Sequence, residues 1–132
     1  MSYVEAVIEA KKFMLAKRII SDARRVVILN ALPLNAIQYR TFSIRCVRFA
    51  NVSALRELEI GKEVVNYVRH ESTIKILSKL LDVELKPSAS LYEYRDRDAL
   101  VIVTLKKPIR GQEVEAKEED LECFVCEVIG GL

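Results

Sequence analysis

Four aliphatic residues in a row, Val26-Val27-Ile28-Leu29, run straight into the polar turn Asn30-Ala31-Leu32-Pro33. A short, continuous, β-branched run of this kind is the mark of a strand buried on both faces, so it sets a central strand inside a sheet. The polar loop that leaves such a strand is where ligands sit.

Around that strand the other segments follow from their periodicity. Tyr3 to Arg25 holds no Gly or Pro and repeats apolar residues at Val4, Val7, Ile8, Met14, Leu15 and Ile19, which predicts a helix. Thr41 to Phe49 alternates, with Phe42, Ile44, Cys46 and Val47 against Ser43, Arg45 and Arg48, and predicts a second strand with room for a bulge. Ser53 is placed to cap a short helix over Ala54 to Ile60, with Gly61 as its stop. Val64 to Val68 reads as a third strand. Ile74, Leu77, Leu80 and Leu81 form one apolar stripe, so a helix runs from Thr73 to Asp82 with Ser72 or a neighbour as its cap. Lys86 to Ser90 is a loop, Leu91 to Arg95 and Ala99 to Lys106 make a hairpin around Asp96-Arg97-Asp98, and Leu121 to Ile129 is a closing strand. The fold class expected is α/β: a mixed β-sheet of about five or six strands with helices packed on it, plus an extra N-terminal helix.

With 132 residues, 51% of them hydrophobic and 30% charged, the chain can bury a sizeable core and is too apolar for the disordered class. The division expected is an N-terminal helical extension over 1–25 and a single α/β domain over 26–132. No apolar run approaches the roughly 20 residues that cross a bilayer. The N-terminus carries Glu5 and Glu9 and lacks the basic and apolar blocks of a secretory signal, so a cytoplasmic protein is expected.

The net charge is only +2, but the charges are segregated. Lys11, Lys12, Lys17, Arg18, Arg24 and Arg25 make the first segment basic, and Glu113 to Glu127 is acidic with Lys117 alone opposing. These blocks read either as surfaces that are each solvated or that meet in an oligomer, or as a basic patch for a nucleotide or nucleic acid. Three cysteines, Cys46, Cys123 and Cys126, cannot close a full disulfide framework and are too few for a four-ligand zinc site. Cys123 and Cys126 have zinc-like spacing on a predicted strand, where positions three apart face opposite ways. Buried thiols are the expectation, with redox pairing or a metal as the alternatives.

The segment Arg69-His70-Glu71-Ser72-Thr73 holds the only histidine, at a strand-to-helix junction. The first backbone N–H groups of a helix lack internal partners and carry partial positive charge, so such an end binds phosphate. Ser72 and Thr73 add hydroxyl donors, and His70 can exchange a proton near neutral pH. Together they can hold and protonate a phosphodiester; capping or core packing is the structural alternative for a lone histidine.

The stretch from Val68 to Leu81 resembles the Gly-His-x-Ser-Thr helix of the viral ring nucleases, anti-CRISPR enzymes found mainly in archaeal viruses that destroy cyclic tetra-adenylate, the second messenger of type III CRISPR defence. Val27 to Asn35 is similar to the opening strand and Asn-Ala-x-x-x-Asn loop of that family, and Ala99 to Lys107 resembles its apolar penultimate strand. The likeness spans Val26 to Val128.

The resemblance implies a homodimer that holds the four-nucleotide ring across its two-fold axis and uses neither metal nor cofactor. A ribose 2′-hydroxyl attacks the adjacent phosphorus in line, and His70 becomes the general acid for the departing 5′-oxygen, a role worth about 10²–10⁴-fold in rate. Ser72 and Thr73 would bind the phosphate, Asn30 and Asn35 the nucleotide, and Arg69 would add a phosphate contact. The chain departs from the pattern in three places. Arg69 replaces the glycine before the histidine, Ser88-Ala89-Ser90 lacks an Asn-Arg, and Lys107-Pro108-Ile109-Arg110-Gly111 has Pro108 at the position of an arginine and no Glu before Gly111. Lys107 or Arg110 can supply the missing cation; Glu71 or Glu113 stands in reserve for the carboxylate. Two other functions compete: a sequestering protein of the same fold that binds the ring without cutting it, and a viral structural or DNA-binding protein using the basic first helix. The net charge of +2 argues against tight duplex DNA binding.

Overall fold

The structure, a computed structural model, describes residues 2–107 and 115–132. Helix α1 (Tyr3–Asp22) leads into β1 (Arg25–Leu29), followed by β2 (Ser43–Phe49), the short α2 (Ala54–Glu57), β3 (Val64–Asn66), α3 (Glu71–Leu81), β4 (Asp98–Leu105) and β5 (Leu121–Ile129). The strands make one five-stranded mixed sheet in the order β2-β5-β4-β1-β3. β1 is parallel to both neighbours, with Val26 opposite Val64 on one side and Ala99 on the other. β5 is antiparallel to β4 and to β2. The α/β class, the mixed sheet and the N-terminal helix are therefore as expected from the sequence.

Burial on both faces of β1 and β4 divides the core into two layers. Val26 and Ile28 share one face with Val101, Val125, Leu77 of α3 and Ala16, Ile19 and Ile20 of α1. Val27 and Leu29 face the opposite way, with Leu100, Ile102 and Cys126, under the irregular chain that carries Ala36 and Tyr92. The three α-helices among the described residues thus contribute to one layer, α2 through Leu55, and loops with one 3-10 turn at Leu34–Ala36 cover the other. The C-terminal half of α1 belongs to the main core, while Tyr3 and Val4 at its start are exposed.

Several local expectations are corrected. β2 starts at Ser43 and pairs without interruption from Ser43 opposite Ile129 to Phe49 opposite Cys123, so it has no bulge. Ser53 makes no side-chain cap; its N–H is taken by Asn51 Oδ1 at 3.3 Å, and the helix ends at Glu57 with Glu59, not Gly61, in the left-handed region. β3 is three residues long because the Asn66 side chain turns back on the chain, accepting from Val68 N and donating to Val68 O and Lys86 O. α3 begins two residues earlier than expected, with His70 in the N-cap position in place of Ser72.

The predicted hairpin does not form. Both edges of β4 are occupied, by β1 and by β5, which leaves no edge for Leu91 to Arg95. That segment folds back on Asp98 instead, with the Tyr92 hydroxyl and the Arg95 N–H both donating to Asp98 Oδ2.

The expectation that Cys123 and Cys126 are buried thiols holds for Cys123 and is corrected for Cys126. Cys46 and Cys126 lie directly opposite each other on β2 and β5, Cα atoms 4.1 Å apart, and form a disulfide. Cys123 points to the helical layer as a buried free thiol. The segregated charges meet within the chain: Arg18 of the basic helix bonds Glu127 of the acidic strand at 2.8 Å, and Arg48 bonds Glu122.

Candidate functional site

Three parallel strands, β4, β1 and β3, point their carboxyl ends at the same edge of the sheet. In open α/β sheets that edge is where loops diverge and leave a crevice. Here it holds a cleft of about 720 Å³ lined by Leu29 and Asn30 after β1, Asn35 and Gln38 beyond them, and Tyr67, Arg69 and His70 after β3. The segment from Ser90 to Glu93 completes the lining, with Tyr92 against Tyr67. An adjoining recess of about 200 Å³ shares Asn30 and His70 and is lined further by Ser72, Thr73, Thr104 and Ala116.

The sequence-derived site residues divide accordingly. Asn30, Asn35, Arg69 and His70 come together in the cleft, and Ser72 and Thr73 in the recess behind it. Lys107 is exposed after the end of β4 and is in the lining of neither cavity. Arg110 and Glu113 lie outside the described residues. Of the carboxylates, Glu71 is exposed at the first turn of α3, whereas Glu93, which sequence reasoning passed over, lines the cleft.

His70 owes its position to the switch from strand to helix. Its backbone is extended, φ −69° and ψ 118°, its carbonyl accepts from Ile74 N at 3.0 Å, and its side chain makes no capping bond. The imidazole is therefore left exposed to the cleft rather than used to close the helix. Ser72 Oγ accepts from Ala116 N at 3.3 Å, so this hydroxyl ties the entry to β5 onto the start of α3. Its own proton remains available to donate. Thr73 is buried. Arg69 reaches across to Ala89 O at 3.4 Å, a long contact that leaves its guanidinium on the cleft rim.

Below the cleft lies a polar network. Asp98, 3% exposed, accepts from Arg25 Nε at 2.7 Å and Nη2 at 3.0 Å, from the Tyr92 hydroxyl at 2.5 Å and from Arg95 N at 3.0 Å. Burial, followed by the bond to Asp98, pushes the Tyr92 phenol well up from its ordinary value, so the hydroxyl stays a donor. Tyr67 meets Tyr92 edge to face, ring centres 5.2 Å apart. An aspartate opening the apolar run Ala99 to Val103 was the sequence signal for this network; nothing in the local sequence marked Tyr67. Among the described residues no three His, Cys, Asp or Glu side chains converge to hold a metal ion, and no helix is long and apolar enough to cross a membrane.

A mixed sheet with helices on one face, loops on the other and a polar cleft at the ends of its parallel strands defines a small α/β protein with a strand-end site. The chain belongs to the STIV B116-like family, whose profile matches residues 26–128. The solved structure of B116 of Sulfolobus turreted icosahedral virus (STIV) is similar to it, with a TM-score of 0.55 and 17% identity over 77% of this chain and 97% of that one. That likeness is one of fold. The family match begins at β1 and so leaves α1 outside it. No curated protein matches the chain.

Proposed function

We propose that this chain is a metal-independent phosphodiesterase, a ring nuclease that opens cyclic tetra-adenylate and so counters type III CRISPR signalling from the host cytoplasm. One observation carries the reading: the single imidazole lines both cleft and recess, beside the first-turn amide groups of α3, which have no partner within the helix. A phosphate lodged at those amides and the Ser72 hydroxyl has a proton donor within its own pocket.

The reaction needs no external nucleophile. The ribose 2′-oxygen bonds to phosphorus, the P–O5′ bond breaks, His70 gives its proton to the 5′-oxygen, and the 2′-hydroxyl proton passes to water. The products are a 2′,3′-cyclic phosphate and a 5′-hydroxyl. Arg69 supplies positive charge for the phosphorane, with Lys107 and Arg110 as further cations in the chain, and Asn30 and Asn35 hold the nucleotide. Two copies clasp one ring across a two-fold axis.

A sequestering protein is the second reading, favoured by Arg69, which brings a cation to the cleft rim beside the histidine and strengthens the hold on a bound phosphate. Incubating the protein with radiolabelled cyclic tetra-adenylate in EDTA separates the two. Linear products that vanish with His70→Ala establish the nuclease, a retarded intact ring establishes the sequestering protein, and absence of both refutes the assignment.

A further inference from the structure

We propose that Tyr67 is the base-recognition platform of the cleft, the surface on which a purine of the bound nucleotide stacks. The inference rests on the nucleotide-binding part of the reading above and assigns a specificity-determining role to a residue outside the phosphate machinery.

The geometry favours Tyr67 over its neighbour. Both tyrosines line the cleft, but Tyr92 is 8% exposed and tethered through its hydroxyl to Asp98, whereas Tyr67 is half-buried. Their planes meet at 61° with ring centres 5.2 Å apart, an edge-to-face contact in place of a parallel stack. Tyr92 itself cannot swing aside, because Asp98 is in turn gripped by Arg25. Tyr67 is thus a half-buried aromatic ring in the cleft lining, braced by Tyr92 and three residues before His70.

The rest of the lining selects the chemistry of the ligand. Asn30, Asn35 and Gln38 bring carboxamides, each with adjacent donor and acceptor atoms, the pattern that reads the edge of an adenine. Arg69 and the α3 start suit a phosphate. A ligand with a flat ring, an amide-like edge and an anion is a nucleotide, and single-stranded RNA bases are held in this way, stacked on an aromatic and hydrogen-bonded at the edge.

The test uses 2-aminopurine riboside 5′-monophosphate, whose fluorescence is quenched on stacking, with ribose 5-phosphate as the baseless comparison. The wild-type chain quenches the nucleotide and binds ribose 5-phosphate more weakly. Tyr67→Leu weakens nucleotide binding by about 5- to 150-fold, the span expected for loss of one stacked base, and leaves ribose 5-phosphate affinity where it was. Tyr67→Phe recovers most of the lost affinity. Equal loss of both ligands marks a structural role and overturns the proposal, as does unchanged nucleotide binding in Tyr67→Leu or no nucleotide binding by the wild type. The two readings fail separately. Nucleotide bound through Tyr67 with the cyclic ring uncut leaves the platform standing and removes the nuclease; equal cleavage by wild type and Tyr67→Leu does the reverse.

Discussion

The Tyr92 hydroxyl donates to Asp98 Oδ2 at 2.5 Å, joining the loop wall of the cleft to the first residue of the central strand β4. Arg25 at the start of β1 completes the arrangement with two bonds to the same carboxylate. The carboxylate side chain is 1% exposed and the guanidinium 11%, so neither has water to replace its partner. Removing one member of such a pair costs about 3–5 kcal/mol, because the other charge is left buried alone. Asp98→Ala is expected to lower unfolding stability by that amount in urea, and Tyr92→Phe by about 1.5–3 kcal/mol, the range for a bond to a charged group. Unchanged midpoints in both would dissolve the network.

Alkaline pH should destabilise the fold. Burial, with a smaller push from Glu122, raises the Cys123 thiol from 9.0 to about 12, and burial with the Asp98 bond raises the Tyr92 phenol from 10.0. Each group holds its proton in the folded chain at a pH where the unfolded chain has lost it. Their contribution is complete below about pH 9 and declines as pH rises toward 12, at up to about 1.4 kcal/mol per pH unit for each group. Melting temperatures from pH 7 to 11 should fall at the upper end, and Tyr92→Phe should flatten the part of that fall above pH 10. A profile flat to pH 11 refutes the assignment.

The disulfide closes a separation of 80 residues and fastens edge strand β2 to β5. A loop of this length restrains the unfolded chain strongly, and stabilisation of about 2–4 kcal/mol is expected. Reduction with dithiothreitol, or the pair Cys46→Ser and Cys126→Ser, should lower the melting temperature; Cys123→Ser, which keeps the disulfide, should remain sensitive to reductant, and the double variant should not respond to it. Peptide mapping of the oxidised protein should recover the Cys46–Cys126 link; a Cys123 link in its place contradicts the structure.

His70 and Ser72 are close in sequence and should separate by experiment. His70→Ala should lower ring opening by about 10²–10⁴-fold with ring affinity nearly intact, since the imidazole makes no capping bond that the fold needs. Ser72→Ala removes the acceptor for Ala116 N and should cost about 1 kcal/mol of stability as well as phosphate affinity. Loss of affinity and turnover together in His70→Ala would point to packing.

The cleft was legible in part. The strand-to-helix junction at His70 and the Asn30 to Asn35 loop were recognisable from local pattern, and the structure brings Asn30, Asn35, Arg69 and His70 into one cavity because parallel strands end on the same side. Tyr67 and Glu93 were missed. Neither interrupts a periodic pattern, and each becomes a lining residue only once the chain after β3 and the 90–93 segment are brought to the same cleft.

What the sequence determined by itself is local: Val26 to Leu29 as a doubly buried strand, the stripe of Ile74, Leu77 and Leu80 as a helix face, and a histidine at the entry to that helix. These follow from the period of apolar residues, a property of neighbours along the chain. Pairing was decided by tertiary structure alone. Leu91 to Arg95 alternates like a strand, yet β4 has both edges filled; Cys126 has Cys123 three residues away, yet meets Cys46 across the sheet. A strand's partner depends on which edges remain open and which buried charges still need satisfying, and both are settled between residues some 70 to 80 positions apart, such as Arg25 and Asp98 or Cys46 and Cys126.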